Sequence, residues 1–119
     1  MQLDHIVINA SNQKASALWY GTLLPMIGFE KTSELVWGNK AGIYLDLRQA
    51  NEFDKPYHRH GPGVNHIGFT APTRKAVDAI RSAMARQGFE VPEVQIIDDA
   101  YCLFMKDDDG FRVEITFYP

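Results

Sequence analysis

The chain has 119 residues, enough for a globular domain with a buried core, and its 45% apolar and 23% charged content is ordinary for a water-soluble protein. The net charge is −3 with no basic cluster, which argues against a nucleic-acid partner. No apolar run nears the ~20 residues that cross a bilayer and no signal-like start is visible, so no membrane partner is expected and the cytoplasm is the expected compartment.

Residues 2–9 read as a strand, with His5, Val7 and Asn9 on one face and Ile6 and Ile8 on the other. A helix is predicted from Asn12 to Leu24, with Ala15, Leu18, Trp19 and Leu23 as its buried stripe and Pro25 as its stop. Phe29 to Leu35 is a weak strand, which Val36-Trp37 continues or follows with a new one. After a turn at Asn39–Gly42, Ile43 to Arg48 alternates cleanly: Ile43, Leu45 and Leu47 point one way, Tyr44, Asp46 and Arg48 the other. Residues 50–63, with two prolines and two glycines, form a polar joint. His58 and His60 lie in it and read as solvated side chains that could gate a nearby cleft.

Beyond the joint the chain repeats itself. Leu3-Asp4-His5-Ile6-Val7-Ile8 returns as Val64-Asn65-His66-Ile67-Gly68-Phe69, and each copy runs into a helical segment that closes on Gly-Phe-Glu, at 28–30 and 88–90. The histidines stand 61 residues apart and the triplets 60, a register too well kept for coincidence. In the second copy His66, Gly68 and Thr70 share a strand face, and Thr73 caps a helix to about Gln87 with Ala76, Val77, Ile80, Ala83 and Met84 buried. Strands are predicted at Val91–Ile97 (edge-like, because of Pro92), Tyr101–Lys106 and Phe111–Tyr118, the last two joined by a turn at Asp107–Gly110. The lone Cys102 sits in an apolar run, where an inert buried thiol is expected.

Each half therefore reads β-α-β-β-β, and the expected fold is α+β: two paired βαβββ modules, 1–49 and 64–119, forming a curved mixed sheet around a central cavity within one domain. Aligning the last strands by their alternation sets Ile43-Tyr44-Leu45 against Val113-Glu114-Ile115, so Tyr44 takes the place of Glu114. If the copies pair about a pseudo-twofold axis, His5, His66 and Glu114 converge. Two imidazoles and a carboxylate hold a divalent ion (Fe, Mn, Ni, Co or Zn) and leave positions open for water or a chelating substrate.

These motifs, together with Gly63 to Phe69 and Asp107 to Ile115, resemble the vicinal oxygen chelate superfamily, which includes glyoxalase I, bleomycin-resistance proteins, fosfomycin-resistance transferases and extradiol dioxygenases. The resemblance spans essentially the whole chain and implies a metal on His5, His66 and Glu114 and a substrate that reaches the ion through vicinal oxygens. It also makes a homodimer plausible. Tyr44 stands where glyoxalase I resembles this chain but has a glutamate, and a tyrosine with an ordinary pKa near 10 is a poor proton acceptor at neutral pH. A standard glyoxalase I is therefore not expected. Asp46, about 7 Å along the same strand face, is the substitute base, with Tyr44 beside it, and Arg48 and Arg112 are candidates for an anionic substrate group. The expected function is a metal-dependent isomerase, lyase or ring-cleaving dioxygenase acting on a small molecule. The alternatives are a thiol transferase of the fosfomycin-resistance kind and a metal-free protein that sequesters an aromatic drug.

Overall fold

The structure, a computed structural model, describes residues 1–119. It divides between Pro56 and Tyr57 into two compact units. The first holds β1 (His5–Ala10), α1 (Gln13–Met26), β2 (Phe29–Ser33), β3 (Val36–Asn39) and β4 (Tyr44–Gln49). The second holds β5 (His66–Thr70), α2 (Arg74–Arg86), β6 (Gln95–Ile97), β7 (Ala100–Lys106) and β8 (Arg112–Phe117). Each unit is the expected β-α-β-β-β module, built on one four-stranded mixed sheet ordered β1-β4-β3-β2 or β5-β8-β7-β6. In both, the first strand runs parallel to the last and the other pairs are antiparallel. A parallel pair needs a long crossover, and the helix begins that crossover in each copy.

Both helices start on side-chain caps at equivalent places: Asn12 Oδ1 accepts from the Ala15 N–H and Thr73 Oγ1 from the Ala76 N–H, each at 3.1 Å. Both end before a glycine in the left-handed region, Gly28 (φ 91°) and Gly88 (φ 87°). Of the predicted α2 stripe, Val77, Ile80 and Met84 are buried against a sheet face made by Leu103, Met105, Val113 and Ile115, and Ala76 and Ala83 are half-buried.

In α1 the expected stripe is rotated by about one residue. Leu18 is 67% exposed, and the buried positions are Ser16, Trp19, Tyr20, Leu23 and Leu24. A serine among the buried residues hides that periodicity from a reading based on apolar side chains alone. Pro25 does not stop the helix, which runs on to Met26. A proline so close to the C-terminus removes a single ladder bond, and the Ile27 N–H still reaches the Leu24 carbonyl at 3.1 Å. The strand expected at Val91–Ile97 shrinks to Gln95–Ile97. Arg81 accounts for the rest: its Nε donates to the Pro92 carbonyl at 2.9 Å and its Nη2 meets Glu93 at 2.6 Å, tying this stretch to α2 instead of the sheet.

Candidate functional site

Strand register sorts the sheet face opposite α2 in the second unit into three transverse rows. They are His66–Arg112–Lys106, Gly68–Glu114–Phe104 and Thr70–Thr116–Cys102. His66 Nε2 lies 3.0 Å from Glu114 Oε2, and the Glu114 side chain is only 14% exposed. The other carboxylate oxygen, Oε1, accepts from the buried Thr116 hydroxyl. Gly68 faces Glu114 directly, and a methyl group there would come within 3.4 Å of Oε2.

On the far side of the ring, His66 Nδ1 lies 2.7 Å from Asn65 Oδ1. That amide is oriented by its own Nδ2, which donates to the Arg59 carbonyl at 2.7 Å. Its oxygen therefore faces the imidazole, Nδ1 carries the hydrogen and Nε2 is turned to Glu114. The Phe104 ring meets His66 edge-on, with centroids 5.7 Å apart.

The first unit repeats this plan with different side chains. Its rows are His5–Tyr44–Gly38, Val7–Asp46–Val36 and a third begun by Asn9–Arg48. His5 Nδ1 is 2.6 Å from Asp4 Oδ2, the counterpart of the Asn65 contact. The rows correct the sequence alignment of the last strands. His5 pairs with Tyr44 but His66 pairs with Arg112, so Tyr44 corresponds to Arg112. Val7 pairs with Asp46 and Gly68 with Glu114, so the counterpart of Glu114 is Asp46. A two-residue slip preserves the alternation of faces, and alternation alone therefore could not detect it. The ground on which a glyoxalase I-like arrangement was set aside, a tyrosine in the acid's place, is thereby removed.

Tyr44 packs on its own sheet. It lies across Gly38, where an added Cβ would be 2.8 Å from its Cε1, so the glycine is what lets the ring lie flat on β3. Arg48 meets Asp46: its Nε and Nη2 hold Asp46 Oδ2 at 2.8 and 2.7 Å, as Thr116, two residues along the other copy, holds Glu114. Arg112 has no carboxylate partner; its guanidinium carbon lies 5.5 Å from the Phe104 ring centroid. His58 and His60 bond within their loop: His58 Nδ1 accepts from the His60 N–H at 3.2 Å and His60 Nε2 from Arg59 Nε at 2.9 Å.

Of the predicted metal ligands, the second unit brings together His66 and Glu114, while His5 stands in the first unit beside Tyr44. Within neither unit do three histidine, cysteine, aspartate or glutamate side chains gather into a metal-sized cluster. Sequence reasoning missed Asp4, Asn65 and Thr116. A signal for the first two was present, since an oxygen-bearing side chain precedes the histidine in both copies.

The model of the Glyoxalase/Bleomycin resistance protein/Dioxygenase superfamily matches residues 2–115. The uncharacterised protein YqjT of Bacillus subtilis (strain 168) is 28% identical over 125 aligned positions, covering 96% of this chain and 97% of that protein. A glyoxylase/bleomycin resistance protein/dioxygenase domain from Frankia sp. EAN1pec superimposes with a TM-score of 0.80 at 16% identity, over 100% of this chain and 93% of that one. The oxidase ChaP-H2 superimposes with a TM-score of 0.69 at 17% identity, over 100% and 94%. At such identities the likeness is one of fold.

Proposed function

We propose, since the chain belongs to the Glyoxalase/Bleomycin resistance protein/Dioxygenase superfamily, that it is a metal-dependent enzyme acting on a small substrate through two adjacent oxygen atoms. His66 and Glu114 would hold the ion, a nitrogen and oxygen donor pair suited to Fe(II), Mn, Co, Ni or Zn. One observation carries this reading: the 3.0 Å between His66 Nε2 and Glu114 Oε2. Two donors each about 2.1 Å from one ion, at right angles, stand about 3 Å apart. The hydrogen bonding agrees. Asn65 takes the Nδ1 hydrogen, so Nε2 and the carboxylate face each other in the way that suits a shared cation.

The ion, when bound, supplies Lewis acidity for an oxyanion-forming reaction. The chain's own groups do the remaining work. Asn65 and Asp4 set the ring orientations, and Thr116 fixes Glu114. Asp46 is held through Oδ2 by Arg48, and its Oδ1 makes no hydrogen bond to the protein. That oxygen is the proton acceptor we assign, which favours isomerase or lyase chemistry over ring cleavage.

Metal analysis of protein purified without chelators tests the reading. One divalent ion per chain is expected, lost in His66→Ala and in Glu114→Ala. A wild-type protein that takes up no metal would return the chain to the metal-free, ligand-sequestering alternative. Oxygen uptake with Fe(II) and catechols would instead favour a dioxygenase.

A further inference from the structure

We infer that Arg112 and Lys106 bind an anionic group of the substrate, a carboxylate or a phosphate, beside the His66–Glu114 pair. The inference deepens the proposed function and rests on that pair being the reaction centre. Lys106 lies directly opposite Arg112 on β7, and Arg112 lies beside His66 on β5, so one row across three strands is made of basic residues alone. Like charges directly opposite in a sheet repel. Within the second unit the ion pairs are His66–Glu114 and Arg81–Glu93, and neither Arg112 nor Lys106 takes part in one.

Glu114, the single acid in the three rows, is taken up by His66 and Thr116. In the turn that joins the two strands, Asp107 Oδ1 accepts from the backbone N–H groups of Asp109 and Phe111. Arg112 is not a freely solvated surface side chain. Its Nε is buried without a hydrogen-bond partner, and its guanidinium is held against Phe104, the ring that also contacts His66. A planar guanidinium positioned in this way suits the paired oxygens of a carboxylate or phosphate, and an exposed lysine opposite adds a second charge. The fold itself does not require the pair. In the first unit the equivalent places hold Tyr44 and Gly38, which carry no charge. The basic row is therefore a feature of one copy, and it makes the two modules unequal toward a substrate.

The test titrates inorganic phosphate into protein stripped of metal, against chloride at matched ionic strength, followed by calorimetry and by the Arg112 Nε–Hε NMR signal. Saturable binding that moves this signal is expected. It should weaken at least tenfold in Arg112→Gln and at least threefold in Lys106→Gln, whose exposed position protects the fold, while Arg112→Lys retains part of it. Metal uptake and phosphate binding are read separately on the wild-type protein, so failure of the metal site and failure of the anion site give different results. Phosphate that binds Arg112→Gln and Lys106→Gln as tightly as wild type, or that never saturates, overturns the inference.

Discussion

Asn65 does two things with one amide. Its nitrogen is pinned by the Arg59 carbonyl, and its oxygen thereby holds the His66 ring with Nε2 toward Glu114. Partners of this kind typically change metal affinity by about 10–100-fold when removed. Asn65→Ala should therefore lose that much affinity in a competition titration with a chromophoric chelator, and Asn65→Asp, which keeps the acceptor oxygen, should lose less. Tyr44 makes the contrasting case. Its ring covers Gly38 and its hydroxyl is not used by the protein, so Tyr44→Phe should hold stability within about 0.5 kcal/mol, as for other surface changes. Tyr44→Ala uncovers the glycine and should cost about 1 kcal/mol by chemical denaturation. The histidines and Glu114 were legible in the sequence because a repeat marks them. The acid at 46 was misassigned because a strand's period of two leaves shifts of two residues degenerate.

At the scale of elements, the helix starts and the turns at 39–42 and 107–110 are legible in the sequence, and segments held by tertiary contacts are not. The helix starts at Asn12 and Thr73 follow from local chemistry, whereas the loss of strand at 91–94 depends on Arg81 reaching across from α2. The β6–β7 hairpin has a two-residue turn, Asp98-Asp99, with both residues at positive φ, 46° and 69°. Hairpins of this shape prefer Asn-Gly, because glycine takes the left-handed region without steric cost. Asp98→Asn with Asp99→Gly should raise stability by about 1 kcal/mol, seen as a thermal midpoint roughly 4 °C higher by calorimetry. A second element-level contact links β7 to α2. The Tyr101 hydroxyl donates to Asp78 Oδ1 at 2.8 Å, and this bond, with a smaller contribution from desolvation, raises the tyrosine pKa above its usual 10.0. The folded protein thus keeps that proton to higher pH than the unfolded chain does. The contribution to stability is complete below about pH 10 and is lost as pH rises through the raised value. Tyr101→Phe should show a shallower alkaline fall in denaturation midpoint than wild type.

For the whole molecule, the duplication explains both what could be read and where the reading slipped. From Gly28 to Val36 there are 8 residues, but from Gly88 to the equivalent Phe104 there are 16, so the second copy carries extra chain both ahead of β7 and in its first half. The repeat stays in step through the helices and loses step in the strands that follow. The two copies have also diverged in chemistry, with a His-Glu pair in one and a His with an Arg-bound Asp in the other. An ion that binds only the folded chain stabilises it by mass action, about 2.7 kcal/mol when free metal is 100 times Kd. For a chain of 119 residues that corresponds to a thermal shift of roughly 10 °C. The shift should vanish in His66→Ala and Glu114→Ala, and calorimetry of His5→Ala then reports what the first unit adds. A shift abolished by His5→Ala makes both copies necessary for the ion. A shift kept at full size would confine the site to the second unit and remove His5 from the ligand set.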